Sequence, residues 1–192
     1  MAVEPMTPQA LQALEDLGAA LRELQDVATS NEAPAAVAAA AARVLTEVTE
    51  QLRPFAADLA SEDSFRRYVQ TSGSHTLNPV LEIQRQEPGF IEMSARFGPF
   101  FRNAFGYVNG GAIALLFDTA IAHVAFEDGR PSYTANLTID YRSPAPVNTP
   151  LVVTVRRDSI DGRKHRISAE LVAGDQTVAR AQSLLIELPS GD

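Results

Sequence analysis

The sequence of 192 residues contains no cysteine. This absence excludes a disulfide framework, a catalytic thiolate and a thiolate metal site. Long hydrophobic runs are also missing, because the most apolar low-complexity stretch, residues 35–42, ends at Arg43. A membrane span needs roughly 20 apolar residues, and a secretory signal needs a basic and an apolar segment that residues 1–10 do not have. We therefore expect a cytoplasmic protein without a membrane span.

Basic residues are scarce at the front of the chain. Residues 1–63 carry 11 acidic and 3 basic side chains, whereas 13 acidic and 13 basic side chains balance over residues 64–192. Because nucleic acids are bound through basic surfaces, this distribution argues against a nucleic-acid partner. The three histidines share no spacing typical of metal ligands, so no metal site is expected at His75, His123 or His165.

The first 63 residues have the pattern of two helices. Thr7 and Pro8 form a helix start, and apolar residues then recur at helical spacing up to Val27. A second helix is predicted from about Pro34 to Leu52. Residues 1–63 are therefore predicted to be an N-terminal helical hairpin that packs on the main domain or on a partner subunit.

From about residue 76 the pattern changes to alternating strands around one helix. The helix, predicted from Gly110 to about Phe126, has no polar face, so we expect it to be buried on all sides by the sheet. Asp161-Gly162 and Gly174-Asp175 are hairpin turn signals. The pattern predicts an α+β domain over residues 64–192, with strands at residues 77–86, 90–98, 132–143, 151–160, 163–173 and 177–188.

Asp118 is the one acidic residue in this apolar helix. Aspartate is a poor helix former, and its neighbours Phe117, Thr119 and Ala120 give it neither a helix end nor a polar surface. An apolar wall would raise its pKa by desolvation. The position therefore suits a general base or a nucleophile that works near neutral pH.

Asn109, Gly110 and Gly111 stand where the same helix begins. Asn109 is a favoured N-cap, and whether it does more than cap the helix stays open. The glycines let a substrate approach backbone N–H groups at the positive end of the helix dipole, which can polarise a carbonyl. Asp118 lies nine residues beyond Asn109, which is about 13.5 Å further along the helix axis and on the opposite side, so one chain cannot aim both residues at one carbonyl.

The segments NGGAIALLFDTA and TANLTIDYRSPAP, together with the order of elements, resemble the hotdog-fold acyl-CoA thioesterases of the PaaI-like group. The likeness covers roughly residues 74–188. That family has an Asn, then His-Gly-Gly six residues on, then Asp nine residues after the His. Here Asn103, Asn109 and Asp118 keep the spacing, and Asn109 stands where the family has histidine.

The resemblance implies a hotdog fold, in which an antiparallel sheet wraps one long central helix, and a site at the interface of a homodimer or a dimer of dimers. Asn103 and the helix N-terminus would come from one subunit, and Asp118 with the Thr134 hydroxyl from the other. Without the resemblance, Thr134 is an ordinary strand threonine and the basic cluster at residues 163–166 a solvated hairpin tip. With it, contacts to the acyl-CoA are implied for Gly111, Asn136, Tyr141, Arg163 and Lys164.

These observations predict an acyl-CoA thioesterase that needs no metal or redox cofactor. Asp118 would activate water or attack the thioester, while the Gly110 or Gly111 N–H polarises its carbonyl. The alternative is a non-catalytic acyl-CoA-binding or regulatory protein. The missing histidine favours that alternative, because the side chain of Asn109 cannot titrate near neutral pH.

Overall fold

The computed structural model describes residues 6–56, 75–127, 129 and 131–188. The chain divides into two compact units, Met1–Thr76 and Leu77–Asp192. The boundary predicted from the sequence, between residues 63 and 64, lies outside the described residues, so it stays a prediction.

The first unit contains the two helices that the sequence predicts, α1 (Pro8–Thr29) and α2 (Ala35–Leu52). The hydroxyl of Thr7 accepts a hydrogen bond from the Ala10 N–H at 3.2 Å, which caps α1. A 3-10 turn, Arg53–Phe55, follows α2 directly. No residue of α2 is buried.

The second unit is one six-stranded sheet and one long helix. The strands follow the order β1-β2-β4-β5-β6-β3, and every neighbouring pair is antiparallel. The helix α3 (Gly110–Ala125) lies between β2 and β3 along the chain. The predicted α+β architecture is confirmed, with strands β1 (Leu81–Glu87), β2 (Phe90–Ala95), β3 (Ser132–Tyr141), β4 (Leu151–Asp161), β5 (Lys164–Ala173) and β6 (Gln176–Glu187).

Two hairpins connect β4, β5 and β6 at the predicted turns. Gly162 and Gly174 have φ values of 56° and 57°, in the left-handed region that side chains other than glycine rarely adopt. The short turns bring the three strands together as sequential neighbours. They therefore form the middle of the sheet and leave β1 and β3 at its edges.

The helix α3 packs on one face of the sheet, against β2 to β6. Its residues Leu116, Phe117 and Ala120 are fully buried in the core. The expected burial on all sides is wrong, because Gly111, Asp118 and His123 are exposed. Five residues between Gly111 and His123 are only partly buried, namely Ala112, Ala114, Leu115, Thr119 and Ala122. A single sheet covers one side of a helix, so one chain leaves an apolar stripe of α3 open.

The C-terminal end of α3 is tied to the sheet by Arg157 on β4. Its guanidinium donates a hydrogen bond to the carbonyl of Val124 and another to the Glu127 carboxylate at 3.0 Å. Glu127 also accepts the N–H of Gly89 in the turn between β1 and β2. The side chains of Arg157 and Glu127 are only 11% and 18% exposed, and a cation at this end also complements the helix dipole.

We expect Arg157→Ala to lower the free energy of unfolding by roughly 3 kcal/mol, because it leaves the Glu127 carboxylate without its cation in a mostly buried place. Arg180→Ala is the matched control, since its ion pair with Glu170 leaves the arginine side chain 60% exposed, and it should cost at most about 1 kcal/mol. Urea unfolding of both variants measures the difference. Equal losses would contradict the assigned role of Arg157.

Candidate active site

Asp118, halfway along α3, is paired with Thr134 on β3. The Thr134 hydroxyl donates a hydrogen bond to Asp118 Oδ1 at 2.9 Å, so the two side chains that the resemblance assigns to one subunit are in contact. The register between β3 and β6 shifts between Thr134 and Asn136, and such a bulge re-aims the side chains beside it. Both residues are exposed, so the apolar surroundings expected for the carboxylate are not present in the single chain.

Asn109 caps α3 as predicted. Its side-chain carbonyl accepts the N–H of Gly111 at 2.8 Å, and its backbone is extended, with φ −62° and ψ 136°. The Gly111 N–H is therefore used inside the chain. The N–H of Gly110 makes no hydrogen bond to any part of the chain that the structure describes. Of the two donors that the sequence suggested, Gly110 is the one available to a ligand.

Tyr141 at the end of β3 contacts the first residue of α3. Its hydroxyl donates a hydrogen bond to the carbonyl of Gly110 at 2.7 Å. A Cβ placed on Gly110 would lie 3.5 Å from the ring, an ordinary contact distance. The strand β3 therefore contacts both candidate regions of α3: Thr134 donates a hydrogen bond to Asp118, and Tyr141 donates one to the helix start.

Asn103 organises the loop before the helix. Its side-chain oxygen accepts the N–H groups of Phe105 and Tyr107 at 2.9 and 3.2 Å. Its own N–H donates to the carbonyl of Tyr107 at 2.7 Å. These bonds fold the loop that leads to Asn109, and a direct contact of Asn103 with a substrate stays a prediction.

Asn136 is not brought to the Asp118 side of β3. Its side-chain oxygen accepts the hydroxyl of Thr138 two positions on, at 3.2 Å. Its neighbours Leu137 and Ile139 pack against the core, and side chains alternate between faces along a strand. Asn136 therefore lies on the sheet face opposite to α3, and sequence reasoning without knowledge of the bulge could not find this.

Arg163 and Lys164 lie at the same end of the sheet as Thr134 but do not contact it. Lys164 pairs with Ile186 on β6, which pairs with Tyr133 on β3. Two strand spacings amount to about 10 Å. Arg163 donates a hydrogen bond to the carbonyl of Glu187 at 3.2 Å, which holds the tip against the end of β6. Contact of this basic tip with a nucleotide stays a prediction.

A cavity of about 260 Å³ opens beside the start of α3. The rings of Phe100 and Phe101, which pack edge to face, form part of its wall. Sequence reasoning missed this cavity, although the aromatic residues directly upstream of the Asn-Gly-Gly segment were a signal for it. Its walls are mainly apolar and end at the helix N-terminus, and the lining residues are Leu77, Phe100, Phe101, Arg102, Asn109, Gly111, Ala112 and Leu115.

His123 and His165 do not join this site. Although His123 as a whole residue is exposed, desolvation of its ring lowers its pKa, which favours the neutral form near pH 7. His165 is buried on β5, with Nε2 3.6 Å from Glu187 Oε2. Within the described ranges, no three histidine or carboxylate side chains come close enough together to hold a metal ion.

Residues 105–180 match the family model described as the thioesterase superfamily. The match includes Asn109, Asp118, Thr134 and Tyr141. These residues are therefore similar to that superfamily. Two solved structures show that the second unit has the hotdog fold predicted from the sequence. The thioesterase superfamily protein RHA08564 aligns with a TM-score of 0.74 at 21% identity over 90% of this chain and 94% of its own. The E. coli PaaI protein aligns with a TM-score of 0.55 at 21% identity over 57% and 80%.

The acyl-coenzyme A thioesterase THEM4 of Rattus norvegicus is 37% identical over 78 residues. The match takes up 41% of this chain and 34% of the rat protein. The chain therefore spans about a third of the length of this curated relative.

A hypothetical thioesterase from Streptococcus pneumoniae TIGR4 has been solved with coenzyme A, and aligns with a TM-score of 0.55 at 15% identity over 59% of this chain and 92% of its own. Two mutant structures of that protein are also known. One replaces an aspartate by alanine, and the other replaces a threonine sixteen positions after that aspartate by alanine. For this chain, no helix in the described ranges is both long and apolar enough to cross a membrane.

Proposed function

We propose that this protein hydrolyses acyl-CoA thioesters in a site that two copies of the chain build together. The observation that carries the proposal is the Thr134–Asp118 hydrogen bond near the start of β3. At the other end of β3, Tyr141 contacts Gly110, whose N–H is unused within the described residues. The relatives named acyl-coenzyme A thioesterases support the substrate class. The pneumococcal structure with coenzyme A supports the same ligand.

Two copies are needed because of the distance along α3. Gly110 and Asp118 are eight residues apart, about 12 Å along the helix axis. A donor must come within roughly 3 Å of the oxyanion, and a general base must reach the attacking water directly. One thioester cannot satisfy both conditions within one chain. The distance along the helix is sufficient for this conclusion. Gly111 and Asp118 both lie on the exposed stripe of α3, so the conclusion does not depend on the two groups facing opposite sides of the helix.

The edge strand β3 offers a way to bring the two halves together. Exposed edge strands pair readily with a second strand, and a symmetric pair uses the same surface twice. Antiparallel pairing of two β3 strands about an axis at Thr138, with the extra residue of the bulge left unpaired, sets Tyr141 opposite the partner's Thr134. The N-terminus of α3 then lies beside the partner's Asp118. The same contact covers the open stripe of α3 and desolvates the carboxylate.

The reaction follows from these positions. Asp118, oriented by the Thr134 hydroxyl, takes a proton from water as the water oxygen bonds to the thioester carbon. The partner's Gly110 N–H stabilises the oxyanion that forms. The carbon–sulfur bond then breaks, the acyl group leaves as the carboxylic acid, and the CoA thiolate takes the proton from Asp118. The apolar cavity of about 260 Å³ beside the helix start receives the acyl group.

The pneumococcal mutants support the assignment of the pair. Their aspartate and threonine are sixteen positions apart, as Asp118 and Thr134 are. The threonine therefore belongs with the carboxylate as the group that orients it. The loop around Asn103 positions Asn109. Asn109 stands where the family has histidine, and in this chain it caps the helix.

The test is thiol release from a panel of short, long and aromatic acyl-CoAs, followed by mixing of two inactive variants. Asp118→Asn removes the base and Gly110→Pro removes the donor. Random reassociation of equal amounts gives one intact site in each mixed dimer, so about a quarter of the wild-type activity should return. Activity that stays at the level of the separate variants would rule out the shared site. A ligand-induced thermal shift of wild type without thiol release would identify a binding protein instead.

A further inference from the structure

The peptide unit between Gly110 and Gly111 is held from both sides. Its carbonyl accepts the Tyr141 hydroxyl at 2.7 Å, and its N–H donates to the Asn109 side chain at 2.8 Å. The preceding peptide unit is fixed as well, because the Asn109 carbonyl accepts the N–H groups of Ala112 and Ile113 at 3.0 and 3.2 Å. Both peptide planes that meet at the Gly110 Cα therefore have hydrogen-bond partners.

Such restraint is needed at this place. Glycine has the widest backbone freedom of all residues, and two stand in succession at the first turn of a helix, where N–H groups lack partners within the helix. An oxyanion donor works only when it is held 2.7–3.1 Å from the position where the charge develops. A Gly-Gly segment that moves would spread the Gly110 N–H over many directions.

We propose that Tyr141 is a positioning residue, whose hydroxyl orients the Gly110–Gly111 start of α3 so that the Gly110 N–H is directed at the thioester oxygen. This inference rests on the proposed function. Asn109 holds the N–H side of the same peptide unit, so Tyr141 and Asn109 act on one group. Tyr141 thereby takes a different role from the acyl-CoA contact that the family resemblance implies.

The two roles of Tyr141 differ in what they change. A side chain that binds the pantetheine arm contributes to the complex and to the transition state alike, so its loss raises KM and leaves kcat unchanged. A side chain that orients the oxyanion donor acts only on the transition state, so its loss lowers kcat and leaves KM unchanged. Tyr141 is 50% exposed, so exposure alone does not separate the two roles.

The test compares Tyr141→Phe with Tyr133→Phe. The control residue is on the same strand and 68% exposed, and its hydroxyl makes no hydrogen bond to the described residues. We expect Tyr141→Phe to lower kcat about tenfold, since the donor is loosened rather than removed, with KM within about twofold. NMR hydrogen exchange at the Gly111 amide should be faster in Tyr141→Phe and unchanged in Tyr133→Phe.

A second variant keeps the proposal falsifiable. Gly110→Ala restricts the backbone and places its Cβ 3.5 Å from the tyrosine ring, so in the Tyr141→Phe background it should restore part of kcat and slow exchange at Gly111. A raised KM with unchanged kcat, or exchange at Gly111 that does not change, would overturn the proposal. If wild type releases no thiol, the proposed function fails, whereas the exchange measurement still decides whether Tyr141 restrains the glycines.

Discussion

Asp118→Asn is expected to lower kcat for acyl-CoA hydrolysis by about a hundredfold or more, the size expected for the loss of a general base. The asparagine side-chain oxygen can still accept the Thr134 hydroxyl at the place of Asp118 Oδ1, so the local structure is preserved. An amide cannot take a proton from water, however. Steady-state thiol release with acyl-CoA measures the effect.

The control for this variant is Asp140→Asn. Asp140 is also on β3, is exposed and pairs with Arg142, and it takes no part in the proposed site. Its replacement should leave kcat within about twofold, because surface substitutions away from special features have small effects. Thermal unfolding of both variants verifies that they fold. Hydrolysis by Asp118→Asn at the parent rate would show that another group is the base.

Gly110→Pro is expected to lower kcat by about 10²–10³, because it removes the one N–H at the helix start that is available to an oxyanion. Proline is well tolerated at the first position of a helix, which Gly110 occupies. The residue before a proline must be extended, and Asn109 already has φ −62° and ψ 136°. The substitution therefore removes a donor while the helix is retained.

Gly110→Ala is the matched control, because it keeps the N–H and its Cβ makes only an ordinary contact with Tyr141. Its kcat should stay within about threefold of wild type, since the donor is retained. The thermal shift on addition of a non-hydrolysable CoA thioether shows whether each variant still binds the ligand. This measurement separates loss of the donor from blocked binding. If proline and alanine at Gly110 have equal activity, the oxyanion donor lies elsewhere.

The local structure was predictable from short stretches of the sequence. The caps at Thr7 and Asn109 and the turns at Gly162 and Gly174 depend on residues that are at most a few positions apart. Such interactions form wherever the right side chain precedes a helix or joins two strands. The same holds for Asp118, because one carboxylate among apolar helical residues is visible without any tertiary contact.

The faces and partners of the site residues required the tertiary structure. The bulge in β3 turns Asn136 away from α3, and strict alternation along the strand does not indicate where a bulge falls. The helix α3 was expected to be buried on all sides, but one sheet covers only one side of it. The cavity beside Phe100 depends on how the 3-10 turn Pro99–Phe101 packs near the helix start.

The sequence by itself determined the class of the fold, the start of α3 and the identity of its one carboxylate, because periodicity and capping act over a few residues. The tertiary structure alone decided which side chains meet. Thr134 reaches Asp118 across 16 positions and Tyr141 reaches Gly110 across 31, so both contacts depend on strand order and register. Register is set by the burial of a whole sheet face against α3, and a shift by one residue would turn each of these side chains to the other face.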